Sequence, residues 1–444
     1  MKNNKVLFII GCALMLLASC LGSGDSYTTD DIQDAQIASL VLSHDSVEGL
    51  GNVKFTIDQI NGLIFNNDSL PYGTEIGKVV CTLTYSVGVG SVRVVQEALG
   101  DTLWWNGTDS LDFSRAVGFT TLAYDGKTEK TYQAWVNIHR EQPDSMVWES
   151  LSLPASDARE RSVVKFSYND NDAYLMYVKT SASCLLYYSG DAEHWAELPL
   201  TGLPGVADIS QITPYENTLY VPVAPAGLYR SSDGQNWTIQ EDAPAVGTIL
   251  GLVREGRDTP PLLAAILRNE EADVFAAMNR EGQWTEGNTV PENFPVSAFG
   301  HISYNRMNHE YLSVVAGKNR RDRALNTTWA TTNATSWALL SGEDENFFEP
   351  KSGIMLTLYD DMFYLLGGIN AADQASKEIH LSIDNGATWF VADTLKNFPE
   401  NYPPRGYASV HVDAANHLLL FGGKTSEQGK SLNELWRGRI NRLK

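Results

Sequence analysis

Cysteine is scarce, with four in 444 residues. Cys12 and Cys20 lie near the start, while Cys81 and Cys184 stand far apart among β-type neighbours. That excludes a disulfide framework, and no pair has metal-ligand spacing. The two isolated thiols read as buried core residues. Positive charge is also in short supply: 33 Lys and Arg against 54 acidic residues give a formal charge of −21. Binding nucleic acid or an anionic membrane surface needs clustered cations, so neither is expected. No apolar run after the first nineteen residues is long enough to span a membrane. The eight histidines are scattered without a paired motif, and there is no Gly-rich phosphate loop, nucleophile elbow or zinc motif. Neither a metal nor a cofactor is expected. Helical periodicity is nearly missing too. What remains is globular in composition, 43% hydrophobic and 20% charged, and long enough for two or three domains.

The first nineteen residues read as an address. Lys2 and Lys5 precede an uncharged apolar run, Val6 to Ala18, which ends in Leu17-Ala18-Ser19-Cys20. A run this short does not span as a permanent helix. It resembles a bacterial lipoprotein signal, in which the Cys carries the lipid and becomes the first mature residue. The alternative is an ordinary secretory signal with an incidental Cys. Cys20 is therefore the expected lipidation site and the membrane the first expected partner, with the chain held in the cell envelope, at the outer membrane or the cell surface. Residues 20–35 form a flexible tether rich in Gly, Ser, Thr and Asp.

Residues 36–140 alternate in the strand manner, and Tyr124-Asp-Gly-Lys127 marks a tight hairpin turn. About seven short strands in such a length suit a small sandwich. Phe55-Thr-Ile-Asp58, Leu70-Pro-Tyr-Gly73 and Ala123-Tyr-Asp-Gly126 resemble Ig-like modules near the anchors of cell-surface lipoproteins. Residues 141–145 read as a linker.

From residue 146 the chain repeats. Trp148, Trp195, Trp237, Trp284, Trp337 and Trp389 follow one another at intervals of 47, 42, 47, 53 and 52 residues. Ser189-Gly-Asp191-Ala-Glu-His-Trp195, Ser231-Ser-Asp233-Gly-Gln-Asn-Trp237 and Thr331-Thr-Asn333-Ala-Thr-Ser-Trp337 share one pattern. Ser382-Ile-Asp384-Asn-Gly-Ala-Thr-Trp389 fits the Asp-box turn in full, and the copy before Trp284 has decayed. The resemblance implies a scaffold role: Asp191, Asp233, Asn333 and Asp384 bind turn amides, and Trp195, Trp237, Trp337 and Trp389 pack between blades. Leu365-Leu-Gly367-Gly368 and Leu419-Leu-Phe421-Gly422-Gly423 resemble the Kelch repeat.

Six third strands can be counted. The last, near Asn433 to Gly438, lacks a following Trp strand, and Trp148 lacks a preceding one. The two gaps fill each other. The expected fold class is all-β: an Ig-like β-sandwich, then a six-bladed Kelch-type β-propeller over 146–444, closed by pairing its N- and C-terminal strands. The whole arrangement resembles a family of cell-surface lipoproteins of unknown function.

Asp boxes invite a sialidase reading, which needs an Arg triad, a Tyr nucleophile with a Glu partner and an acidic Asp. No such constellation can be assembled from spacing. The loops expected at the propeller mouth offer Arg161, Asp208, His301, Arg320, Arg321, Arg323, Lys351, Arg405 and Tyr407. A basic face on an acidic protein would suit an anionic glycan or protein carboxylates. The function expected is a non-catalytic binding or scaffold module for glycan or protein. The alternatives are a carbohydrate-active enzyme, either a sialidase-like hydrolase or a sugar mutarotase, and an assembly factor.

Overall fold

The computed structural model describes residues 32–168, 171–256, 259–345 and 348–442. The expected signal segment, Cys20 and the expected tether up to residue 31 lie outside them. The described residues are built of strands, and their only helical elements are three short 3-10 turns. None is long and apolar enough to cross a membrane. The chain divides into two compact units between Pro143 and Asp144.

Among the described residues the first unit has two sheets. Ile37–Ser43, Val79–Tyr85 and Ser110–Leu111 form one. The other orders Phe55–Asp58, Leu63–Asn66, Glu129–Trp135, Val117–Ala123, Val89–Gln96 and Asp101–Trp104. Val117–Ala123 shows why these segments are strands. Val117, Phe119, Thr121 and Ala123 point inward, with half-buried residues between, which is the period-two pattern of a half-covered sheet. Ile37, Leu42, Val79, Cys81, Val94, Phe119 and Tyr132 fill the core. The Cys81 thiol is pushed up to about 12 by burial.

Among the described residues the second unit holds six sheets. Glu160–Tyr168, Thr213–Tyr215, Val246–Val253, Gly300–Arg306, Met355–Tyr359 and Gly406–Val412 are their first strands. These first strands touch in cyclic order, and Gly406–Val412 returns to Glu160–Tyr168. The last sheet takes its outer strand from the unit's beginning. Met146–Ser152 pairs antiparallel with Glu434–Ile440, Trp148 opposite Gly438 and Ser150 opposite Trp436.

Each seam between sheets has its own apolar cluster and its own tryptophan. Trp195 meets Phe421, Trp237 meets Tyr177, and Trp337 meets Phe275 and Phe294. Trp389 meets Phe348, and Trp148 meets Phe398. The turns that carry them are tied by short polar side chains. Asp191 Oδ1 accepts from the amides of Glu193 and His194, and Asp233 Oδ1 from those of Gln235 and Asn236. Asn333 and Asp384 act alike. In the decayed copy Asn279 Oδ1 takes the Gln283 amide at 2.8 Å.

First strands pair on only one side, which leaves an edge that must be satisfied. Here the neighbouring sheet's side chains satisfy it. Val163 N–H donates to Ser409 Oγ at 2.9 Å, and His411 Nε2–H donates to Val163 O at 2.8 Å. Ile249 N–H donates to Gln211 Oε1 at 3.0 Å. Ser303 Oγ donates to Leu252 O, and the Lys165 ammonium to Val412 O.

Candidate functional site

The first strands enclose a channel of about 620 Å³. Its wall is more apolar than polar, with Ile249, Leu252, Ile354, Leu356 and Val410 beside Ser, Thr, Gln and His side chains. None of the lining residues is Asp or Glu. Lys165 lies toward one end, and Arg161 and Tyr407 toward the other.

At the Tyr407 end three residues that lead into consecutive sheets share a left-handed backbone: Ala298 at φ 51°, Gly353 at φ 62° and Tyr407 at φ 59°. Gly353 N–H donates to Ala298 O at 2.7 Å, and Tyr407 N–H donates to Gly353 O at 2.6 Å. A bulky residue at positive φ is strained, and surrounding bonds must hold it. The Tyr407 ring lies on Gly353, where a Cβ would come within 2.5 Å of it.

Above this staircase a polar network links two sheets. Glu427, on the loop after Leu418–Lys424, accepts from Lys318 Nζ at 2.7 Å and Ser352 Oγ at 2.8 Å. Tyr407 OH lies 3.4 Å from the same carboxylate. Burial raises the Glu427 carboxyl, but the bonds from Lys318 and Ser352 outweigh it and hold the group below its usual range. Burial pushes the Tyr407 hydroxyl up, the opposite of what a phenolate nucleophile needs.

The basic residues expected at the mouth do not form a free positive face. Arg320 pairs with Asp273 at 2.7 Å, Arg321 with Glu292 at 2.7 Å, and Arg323 grips Glu343 through two 2.7 Å bonds. Lys351 is wholly buried and meets Glu378 at 3.2 Å. Arg405 is wholly buried too. It donates to Gly422 O at 2.7 Å and Glu434 at 3.3 Å, and stacks on the Tyr402 ring at 4.4 Å. Arg161 has no carboxylate in its bonds and turns its guanidinium to Pro154 O, Ala155 O and Asn433 Oδ1. Desolvation lowers its pKa to about 10. Asp208 caps a 3-10 turn through Ser210 N–H at 3.0 Å. The expectation of an open basic patch is therefore corrected: carboxylates far off in sequence neutralise five of its cations, and the sixth is bonded to neutral oxygens.

His301 and Tyr407 do line the channel. Sequence reasoning missed His411, Lys165 and Glu427. A period-two reading of Gly406–Val412 would have placed His411 beside Ser409 and Tyr407, but nothing local marks Glu427. Among the described residues no cluster of His, Cys, Asp or Glu could hold a metal ion.

Comparison with known proteins bears on both units. Residues 142–444 match the family described as the DUF6242 beta propeller domain, and residues 26–136 match the DUF6242 N-terminal domain, a domain of unknown function. No curated protein matches. One similar solved structure, described as "Structure of YjhT", is 12% identical, with a TM-score of 0.45 over 64% of this chain and 95% of that one.

Proposed function

We propose, from the premise that the chain belongs to the DUF6242 family, that it is a lipid-anchored envelope protein whose propeller is a non-catalytic binding module. The observation that carries this is the channel: a closed cycle of first strands around a ligand-sized space with a wall more apolar than polar and no acidic residue on its lining. Sites for small molecules have this character, concave and mostly apolar with a few polar groups. Two-carboxylate glycoside chemistry needs a facing acid pair, and the channel wall supplies none. In this reading the six sheets are six Kelch-type blades with Asp-box turns, and the two-sheet first unit is an Ig-like module that precedes the propeller in the chain. A glycan or peptide held at the mouth would be a neutral one, because the cations there are already engaged.

One contact favours the enzyme alternative, the Tyr407 hydroxyl beside Glu427. Fluorogenic sialosides and other glycosides separate the two readings. Ligand capture from a glycan and small-molecule panel without turnover is the expected result. Hydrolysis lost in Tyr407→Phe would overturn the binding reading. Anchoring has its own test: Cys20→Ala should leave the membrane pellet, and retention there after a high-salt wash would sink it.

A further inference from the structure

We infer that the channel takes one uncharged, largely apolar small molecule whose hydroxyl group hydrogen-bonds the His301 imidazole; this rests on the reading of the propeller as a binding module. The channel wall carries two histidines, and they differ in one respect. His411 donates its Nε2–H to Val163 O and so closes a sheet edge. The ring of His301, second residue of Gly300–Arg306, has no hydrogen-bond partner among the described residues. By area it is exposed, yet protein surrounds it, because the space it faces is the channel rather than bulk water.

The room around its ring is built in. Gly251 sits opposite at φ 131°, and a Cβ there would lie 2.9 Å from His301 Nδ1 and 2.8 Å from Leu312 Cδ1. Any other residue would crowd that nitrogen. Phe299 meets the ring edge-on at 6.2 Å. Burial lowers the His301 pKa, so the ring is neutral near pH 7. It then offers one N–H donor and one bare nitrogen acceptor. A hydroxyl matches either.

Charge complementarity sets the class. A cation would find no Asp or Glu on the lining. An anion would find Arg161 already bonded to carbonyls and Lys165 bonded to Val412 O and facing Asp413 and Asp172. A cation would therefore lose its water without a partner, and an anion would meet only the Lys165 ammonium, whose charge burial disfavours and Asp413 and Asp172 in part offset. The volume suits one small molecule.

Calorimetric titration of the protein with naphthalene, 2-naphthol and 2-naphthoate tests this. The three probes share one ring system and differ in hydroxyl and charge. 2-Naphthol should bind roughly two- to tenfold more tightly than naphthalene, the range of one net hydrogen bond, and 2-naphthoate more weakly than 2-naphthol. His301→Phe should erase the 2-naphthol preference while naphthalene still binds, and His301→Gln, which keeps a donor and an acceptor, should retain it. A preference that survives His301→Phe, or tighter binding of 2-naphthoate, overturns the inference and leaves the binding-module reading standing. No heat from any probe overturns the channel site itself, and the glycan and protein panel then judges the wider reading separately.

Discussion

Gly353 shows how much one missing atom decides. Its φ of 62° and the Tyr407 ring 2.5 Å from any added Cβ are two separate penalties. Gly353→Ala should cost about 2–3 kcal/mol in urea denaturation. Gly282→Ala, at φ 80° with only the Gln240 amide at 3.9 Å, carries the backbone penalty alone and should cost about 1 kcal/mol. Equal losses would show that the ring yields. Arg405 and Arg321 make a second contrast. From sequence they looked like two members of one basic face. In the fold Arg405 is wholly buried, while the Arg321 side chain is 76% exposed beside Glu292. Arg405→Ala should destabilise by about 3 kcal/mol, whereas Arg321→Ala should stay within about 0.5 kcal/mol. The residue types at the mouth were legible, but their partners were not. Asp273 lies 47 positions before Arg320, and Glu434 lies 29 after Arg405, distances at which only the tertiary path brings groups together.

The hydrogen bonds of the turns before Trp195 and Trp237 could be read from sequence, because they are local. A carboxylate two or three residues before a free amide can reach it whatever surrounds the turn. Asp233→Ala removes acceptors for two amides at 2.8 Å and should cost about 1–2 kcal/mol in thermal denaturation, with probe binding in the channel unchanged. The side chains that close the first-strand edges were less readable. Ser409, Gln211 and Ser303 look like ordinary surface polar residues until the neighbouring sheet is in place. The outer strand of the last sheet is another non-local element. Trp148 covers Gly438, where a Cβ would fall 2.5 Å from the indole. Removing residues 434–444 should therefore unfold the second unit cooperatively, since Met146–Ser152 loses its partner and Leu418–Lys424 its neighbour. Limited proteolysis would reveal this as rapid loss of the fragment beyond residue 144 while the first unit resists. Survival of a folded, five-sheet second unit would refute it.

For the molecule as a whole, acid stability reports the buried histidines. Burial lowers His380 and His411 to about 4, against an ordinary value near 6.5. The unfolded chain then binds protons that the fold refuses. The stability these rings confer is full above pH ~6.5 and is lost as pH falls toward about 4, on the order of 3 kcal/mol for His380. His380→Leu should flatten the urea midpoint between pH 6.5 and 4.5. An unchanged slope would mean that the ring already titrates normally. Asp233, Asp384 and Asp413 are held below their usual range: burial opposes, but turn hydrogen bonds prevail. Their loss therefore begins only below pH ~4. The all-β class and the repeat were legible at this scale because both rest on periodicity. The channel was not, since it exists only once the first strands have met around a circle.

That circle has a cost in time. Met146–Ser152 is among the first parts of the second unit to leave the ribosome, and its partner Glu434–Ile440 is almost the last. At ordinary synthesis rates of 5–20 residues per second, the intervening chain takes roughly fifteen seconds to a minute. Throughout that interval the waiting strand presents unpaired amides and the apolar face that Trp148 later buries. Its fate is set by translation speed and by whatever shields nascent strands, so slowing codons between residues 152 and 434 should lower the soluble yield without altering the finished protein.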